Sequence, residues 1–277
     1  MKKLSRKKIE KIVVEYKKGL SLRKICRLLD VSIGCAHKYL SEFNIIRKHN
    51  IVKELNSNDE KLIGLYIGLW MGDGTQYWDK SKGSYTVKIC SNKRNRLLNE
   101  FIMTSIEKLF NKKSRLIEEK NTNQAYIKFE SEFIFYFVYE YIMRGANKTH
   151  SVCLKNDIDL YNKDFLEGCL LGLVLSDGYL KNNLYFNVTS PALANNMILT
   201  LKKFGFCPRL YIHNRLKYGW KDLYMVSLKV YESRKLRFLL DRIIKDLGYD
   251  FSFQSLKYPM SPLRFELRTS AYVSHVF

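Results

Sequence analysis

Two aspartates in this 277-residue chain sit where a carboxylate is unwelcome. Asp73 ends the run YIGLWMGDG and Asp177 ends LLGLVLSDG, each after an apolar helical stretch and before a glycine. A helix C-terminus already carries unpaired carbonyls and the negative end of the macrodipole, so an acid there adds like charge. Two such ends placed side by side would concentrate negative charge that a bound cation stabilises. With oxygen as the only ligand type and positions left open for water and phosphate, that cation is expected to be Mg²⁺ or Mn²⁺.

The residues before each acid say how the two could meet. Asp73 is preceded by Gly72, Gly68 and Gly64, and Asp177 by Ser176, Gly172 and Gly168, at the same offsets. A small residue every fourth position leaves a groove down one helix face, where a second backbone can approach closely. A lone Asp-Gly after a helix is ordinarily a turn. The same pattern repeated after 104 residues, at the same point of a repeated unit, predicts two helices packed together and ending together.

The elements around the acids repeat as well. The first half reads as a helix over 60–72, a strand pair over about 74–90, a helix over 92–110, a strand pair over about 114–130 (from AYIKF) and a helix over 131–144. The second reads as a helix over 163–176, strands around 178–189, a helix over 191–204, strands from RLYIHN and LYMVSLKVY, and a helix over 232–246. The fold class is α+β, with a duplicated αββαββα unit. The expected divisions are a module over 1–50, a polar linker over 51–60, one half over 61–160, the other over 161–250, and a tail over 251–277 without a clear pattern.

Composition points to the partner. The formal charge is +21, and residues 1–58 hold 15 Lys+Arg against 5 Asp+Glu while the remainder is basic too. A basic excess spread along the chain predicts a long nucleic-acid footprint. Six cysteines without a C-x-x-C pair, and five histidines that do not cluster with them, argue against zinc and for reduced thiols in an intracellular, cytoplasmic or nucleoid-associated setting. The apolar runs Leu62–Met71 and Cys169–Leu175 are too short to span a bilayer, so a soluble protein without a membrane role is expected, and a monomer is the expected state.

Residues 5–18, 21–29 and 32–43 each begin at a serine cap and carry apolar residues at helical spacing, with Asp30 and Val31 as a short turn. Ile25, Leu28, Leu29, Val31, Ala36, Tyr39 and Leu40 form the expected inward face. The stretch GLSLRKICRLLDVSIGCAHKYL resembles the helix-turn-helix of resolvase-like and homeodomain-like DNA binders. The resemblance implies that Ser32, Ile33, Gly34, Cys35, His37 and Lys38 face the major groove.

YIGLWMGDG and LLGLVLSDG, with the intervening RGANKTHSVCLKNDIDLYNKDFLEG, resemble the single-chain, two-motif LAGLIDADG homing endonucleases over roughly residues 60–246. Gly72 and Ser176 replace the usual alanine but stay small. The resemblance implies that the motif helices join two pseudo-symmetric halves and that each half spreads an antiparallel sheet over duplex DNA at a long asymmetric target. It also implies that Asp73 and Asp177 hold the catalytic metals over the minor groove, with main-chain oxygens of Gly72 and Ser176 completing the shell. A basic residue near each acid is a further family feature, for which Lys93 and Lys181 are the expected pair. Two other activities share the scaffold: an RNA maturase binding intron RNA, and a transcription regulator that pairs it with a helix-turn-helix but lacks the acids.

Overall fold

The computed structural model describes residues 4–17, 22–42, 59–79, 81, 83–145, 147–215 and 219–256. Two compact units divide the chain, residues 1–53 and 54–277. Of the linker expected over 51–60, residues 51–58 lie outside the described residues and Asp59 and Glu60 already belong to a helix; the tail beyond Leu256 also lies outside them.

The first unit contains α1 (Arg6–Lys17), α2 (Leu22–Leu29) and α3 (Ile33–Glu42). Ile12, Ile25, Cys26, Ala36 and Leu40 make its small core. Asp30 takes a left-handed φ of 48° between α2 and α3, a conformation that a short Asx side chain tolerates. Ser32 Oγ then accepts from Cys35 N at 3.2 Å and caps α3. Two expectations fail here. Leu28 is 63% exposed, and Cys35, expected to face a groove, is buried. The α3 start is wound so that Cys35 and Ala36 both face inward. Ile33 and Gly34 are exposed, as is Ser32, whose hydroxyl is engaged in the cap; the His37 and Lys38 side chains lie outside the described residues.

The second unit repeats one topology twice. Its first half runs α4 (Asp59–Asp73), β1 (Gly74–Asp79), β2 (Ser84–Asn92), α5 (Arg96–Phe110), β3 (Arg115–Glu118), β4 (Gln124–Glu130) and α6 (Glu132–Tyr141). Between the halves lie β5 (Ile142–Met143), the short α7 (Lys148–Ser151) and β6 (Cys153–Leu154). The second half runs α8 (Lys163–Ser176), β7 (Gly178–Leu180), β8 (Leu184–Val188), α9 (Pro191–Lys203), β9 (Arg209–His213), β10 (Leu223–Leu228) and α10 (Val230–Asp246), followed by α11 (Phe253–Leu256). Both four-stranded sheets are antiparallel, ordered β1-β2-β4-β3 and β7-β8-β10-β9.

The helix expected to run from Ser131 to 144 stops at Tyr141, because Ile142 and Met143 pair with Leu154 and Cys153. The segment after α10, which the sequence left without a clear pattern, crosses to the first half in its described part. Phe101 packs on Tyr249 at 4.8 Å between ring centroids, and Asn95 Nδ2 donates to Leu256 O at 2.7 Å.

One core spans both halves, built from the inward faces of the sheets and from α4 and α8, whose apolar side chains are buried nearly all round. Helices this apolar on every side belong at a domain centre. A charged cluster fixes their starting ends. Lys61 Nζ, almost buried, sits 2.8 Å from Asp246, 2.9 Å from Glu167 and 3.4 Å from Asp164, and Arg242 reaches the other oxygen of Glu167 at 2.6 Å. Burial alone would push the Lys61 ammonium down, but its hydrogen bonds to Asp246 and Glu167 outweigh that and hold it above the ordinary lysine range.

Candidate metal and nucleic-acid site

The small-residue ladder works as a contact register. A Cβ built on Gly64 would strike the main chain of Phe165 and Cys169, one on Gly68 that of Cys169 and Leu173, and one on Gly172 that of Leu65, Leu69 and Gly68. Gly168 meets Lys61 and Leu65 in the same way. The pairs advance in the same direction along both helices, so α4 and α8 run parallel and end together. Each step is backbone on backbone, which no side-chain rotation relieves.

At the last step a Cβ on Gly72 would collide with the Ser176 side chain and stand 2.8 Å from Asp177 Oδ2. The acid of the second motif therefore leans over the backbone beside the acid of the first. Asp73 is the last residue of α4, and Asp177 caps α8, its N–H bonded to Leu173 O at 3.0 Å. Gly74 and Gly178 begin strands at once, and a side chain on either would enter Trp70 or Val174 of the preceding helix turn. That steric demand explains the glycine after each acid. Ser176 Oγ turns back and donates to Gly172 O at 3.0 Å and Leu173 O at 3.1 Å, which engages its proton within the helix.

A third charged residue completes the cluster, and it was absent from the sequence-level expectations. Lys148, at the start of α7, donates from Nζ to Gly72 O at 3.0 Å and to Gly74 O at 2.5 Å, and lies 4.6 Å from the Trp70 ring centroid. Burial pushes its ammonium down to about 8; Asp177 and then Asp73 pull against that, while nearby Arg144 adds to it. The ammonium thus feels both acids, and its bond to Gly72 O puts it at the residue that Asp177 Oδ2 approaches. The segment is braced from the second half: Ser190 Oγ donates to Val152 O at 2.9 Å and Thr189 Oγ1 to Thr149 O at 2.8 Å. Within the segment, Ser151 Oγ accepts from Gly145 N at 2.7 Å. A signal existed in the sequence, since Lys148 lies within RGANKTHSVCLK, but nothing local ties residue 148 to residue 72.

The donor set fits a hard divalent cation. Two carboxylates and the Gly72 carbonyl are oxygens, and that carbonyl already accepts from a cation. Among the described residues no group of three or more His, Cys, Asp or Glu could hold a metal. An ion here would therefore draw its remaining ligands from main chain, water and substrate.

Lys93 and Lys181 are placed differently. Gly74 pairs with Ile89, so Lys93 stands in the turn beyond the end of β2, its N–H bonded to Asn123 O at 2.9 Å. Lys181 follows β7 and lines a cavity with Asn182, Val230, Arg234 and Arg237.

Strand register sorts the sheet faces, because directly opposed residues share one. Val87, Ile89, Ile127 and Phe129 face the core of the first half, and Phe186, Val188, Val226 and Leu228 that of the second. The opposite faces carry Tyr77, Lys88, Tyr126, Lys128 and Arg115 in one sheet, and Tyr179, Tyr185, Asn187, Arg209 and Tyr211 in the other. Lys88 Nζ sits between two rings, 5.3 Å from Tyr77 and 5.1 Å from Tyr126. Asn187 Oδ1 is buried without a hydrogen-bond partner. These are surfaces of cations, amides and aromatic hydroxyls, the chemistry that meets phosphates and base edges.

No protein-family model matches the chain, and no curated protein sequence matches it. Solved structures do share its fold. The crystal structure of I-DmoI in complex with DNA and Ca is similar at 18% identity, over 67% of this chain and 91% of that one, with a TM-score of 0.52. The structure of I-DmoI in complex with DNA and Mn is similar at 19% identity, over 70% and 99%, also at 0.52. Mesophilic variants from the homing endonuclease I-DmoI match at 18% identity, over 67% and 91%, at 0.52.

Proposed function

We infer that this chain is a divalent-metal-dependent DNA endonuclease of homing type, making a double-strand break at a long asymmetric site. The observation that carries the reading is the meeting of Asp73 and Asp177 at the shared end of two parallel helices, with the Gly72 carbonyl turned to the same cation position. The fold is shared with solved I-DmoI structures, one of them in complex with DNA and Mn, which supports the same reading.

In this reading Asp73, Asp177 and the main-chain oxygens of Gly72 and Ser176 would hold Mg²⁺ or Mn²⁺. A metal so held supplies an activated water and charge stabilisation at a phosphodiester. Lys148 keeps the two acids together in the free protein and places a positive charge beside the scissile phosphate. Lys93 and Lys181, one in each half, are the further basic residues of this reading, suited to backbone phosphates. The two outward sheet faces read the major groove on either side, with Asn187 suited to an adenine edge. The N-terminal unit adds a second reading head through Ser32, Ile33, Gly34, His37 and Lys38, raising affinity through effective concentration.

The test is a strand-labelled cleavage assay on the rejoined DNA that flanks the gene, with Mg²⁺ titrated. Metal-dependent scission of both strands is the expected result. Metal-independent binding without scission would favour a regulator, and preference for structured intron RNA a maturase.

A further inference from the structure

The second half ends in a basic cavity that the acid pair does not use. Lys181, Asn182, Val230, Arg234 and Arg237 enclose about 370 Å³. The cavity forms where the β7–β8 hairpin turns beside the start of α10, since Leu184 and Leu228 are paired and α10 begins at Val230. Arg237 donates from Nη2 to Lys181 O, which fixes its guanidinium, and its Nε is buried without a partner. The first turn of α10 receives no side-chain cap from Lys229; its acid, Glu232, is engaged by Cys207 N at 2.7 Å.

The first half has a different chemistry at the matching junction. Counted from the start of each helix, Arg234 in α10 takes the place of Tyr136 in α6, and Arg237 that of Tyr139. The first half stacks Trp78 on Tyr85 at 5.5 Å, with Tyr136 5.6 Å from Tyr85; burial first, then Tyr136 and Glu132, push the Tyr85 hydroxyl up. Each helix has one acid in its first turn, Glu132 in α6 and Glu232 in α10, but the first junction is otherwise aromatic and the second cationic.

The geometry points to a phosphate site: the cavity grips a backbone phosphodiester of duplex DNA beyond the stretch read by β7–β10. This assignment rests on the DNA-binding reading proposed for the sheets. The hairpin that forms the cavity also carries Tyr179 and Tyr185 on the outward face, so a duplex following that face arrives at the cavity. The exposed Lys181 and Arg234 present their charges to phosphate oxygens, while Arg237, tied to Lys181 O, holds the hairpin beside α10. The clamp sits on one half only, so it orients the protein on its target as well as adding affinity.

The test compares three proteins on a mixed-sequence duplex in Ca²⁺, by anisotropy: wild type, the pair Lys181→Gln with Arg234→Gln, and the charge-matched pair Lys202→Gln with Lys245→Gln. All four lysine and arginine side chains are exposed, and melting curves confirm folding. The log–log salt slope is expected to fall by about 0.9 for each phosphate that the cavity pair no longer neutralises, and to hold in the control pair. Equal changes in both pairs, or none in either, would overturn the clamp while leaving the endonuclease reading standing. A flat salt profile in the wild type would overturn the DNA reading and the clamp with it. Added inorganic phosphate forms a second arm. If it raises the wild-type melting temperature but not that of the cavity pair, while their DNA slopes agree, the cavity is a free-anion site and the clamp is wrong.

Discussion

Lys148 Nζ lies 3.0 Å from the main-chain oxygen of Gly72, the residue whose missing side chain lets Asp177 approach the first motif. A cation is thus held where two helix C-termini and two acids converge. Lys148→Met keeps the length of the side chain and removes the charge. Cleavage should fall by roughly 10²–10³, the loss typical of one preorganised charge or donor, while duplex affinity changes little. Single-turnover rates beside binding isotherms check this; wild-type rates would remove Lys148 from the site.

The same lysine sets a pH dependence of stability. Its folded value of about 8 lies below the ordinary 10.5, so the unfolded chain binds more protons between those limits. The cost of burying its charge is fully present below about 8 and disappears as pH rises towards 10.5, so this group's contribution to stability should increase across that window. Metal-free melting temperatures of wild type minus Lys148→Met, measured across the window, should rise; a level or falling difference contradicts the burial of the ammonium.

Close packing of α4 on α8 makes a steric prediction. A methyl at Gly68 or Gly172 would meet main-chain atoms of the other helix. Gly68→Ala and Gly172→Ala should each cost about 1–3 kcal/mol in denaturant unfolding, the usual range for overpacking. Gly34→Ala, in the first turn of α3 with open space around it, serves as a control and should cost nothing.

Much of this was legible in the sequence, for identifiable reasons. The ladder Gly64, Gly68, Gly72 and its counterpart encode the helix pair because close backbone approach permits only small residues. Alternation in YTVKI and AYIKF encodes the strands because one face is buried. Lys148 was not legible, because its partners stand some 75 positions away and only tertiary packing joins them. Cys35 misled because two inward positions follow directly at the start of α3, where the cap fixes the helix phase.

The N-terminal unit has its own core, so its removal should leave the remainder folded. A chain beginning at Asn58 should still cleave at low salt but bind its site more weakly, and Lys38→Ala in the full chain should weaken binding modestly. Full affinity of the shortened chain at physiological salt would end the DNA role of the first unit.

The convergence of Asp73 and Asp177 is the claim on which the function rests, and one experiment addresses it directly. Asp73→Asn and Asp177→Asn keep size and remove charge, so both should fold and bind duplex DNA at least as tightly as wild type, because repulsion between acid and phosphate is relieved. On a strand-labelled duplex with Mg²⁺ titrated, each single variant should lose cleavage of at least one strand by orders of magnitude, and the double variant should cut neither. Wild-type cleavage by either folded single variant would contradict the assignment.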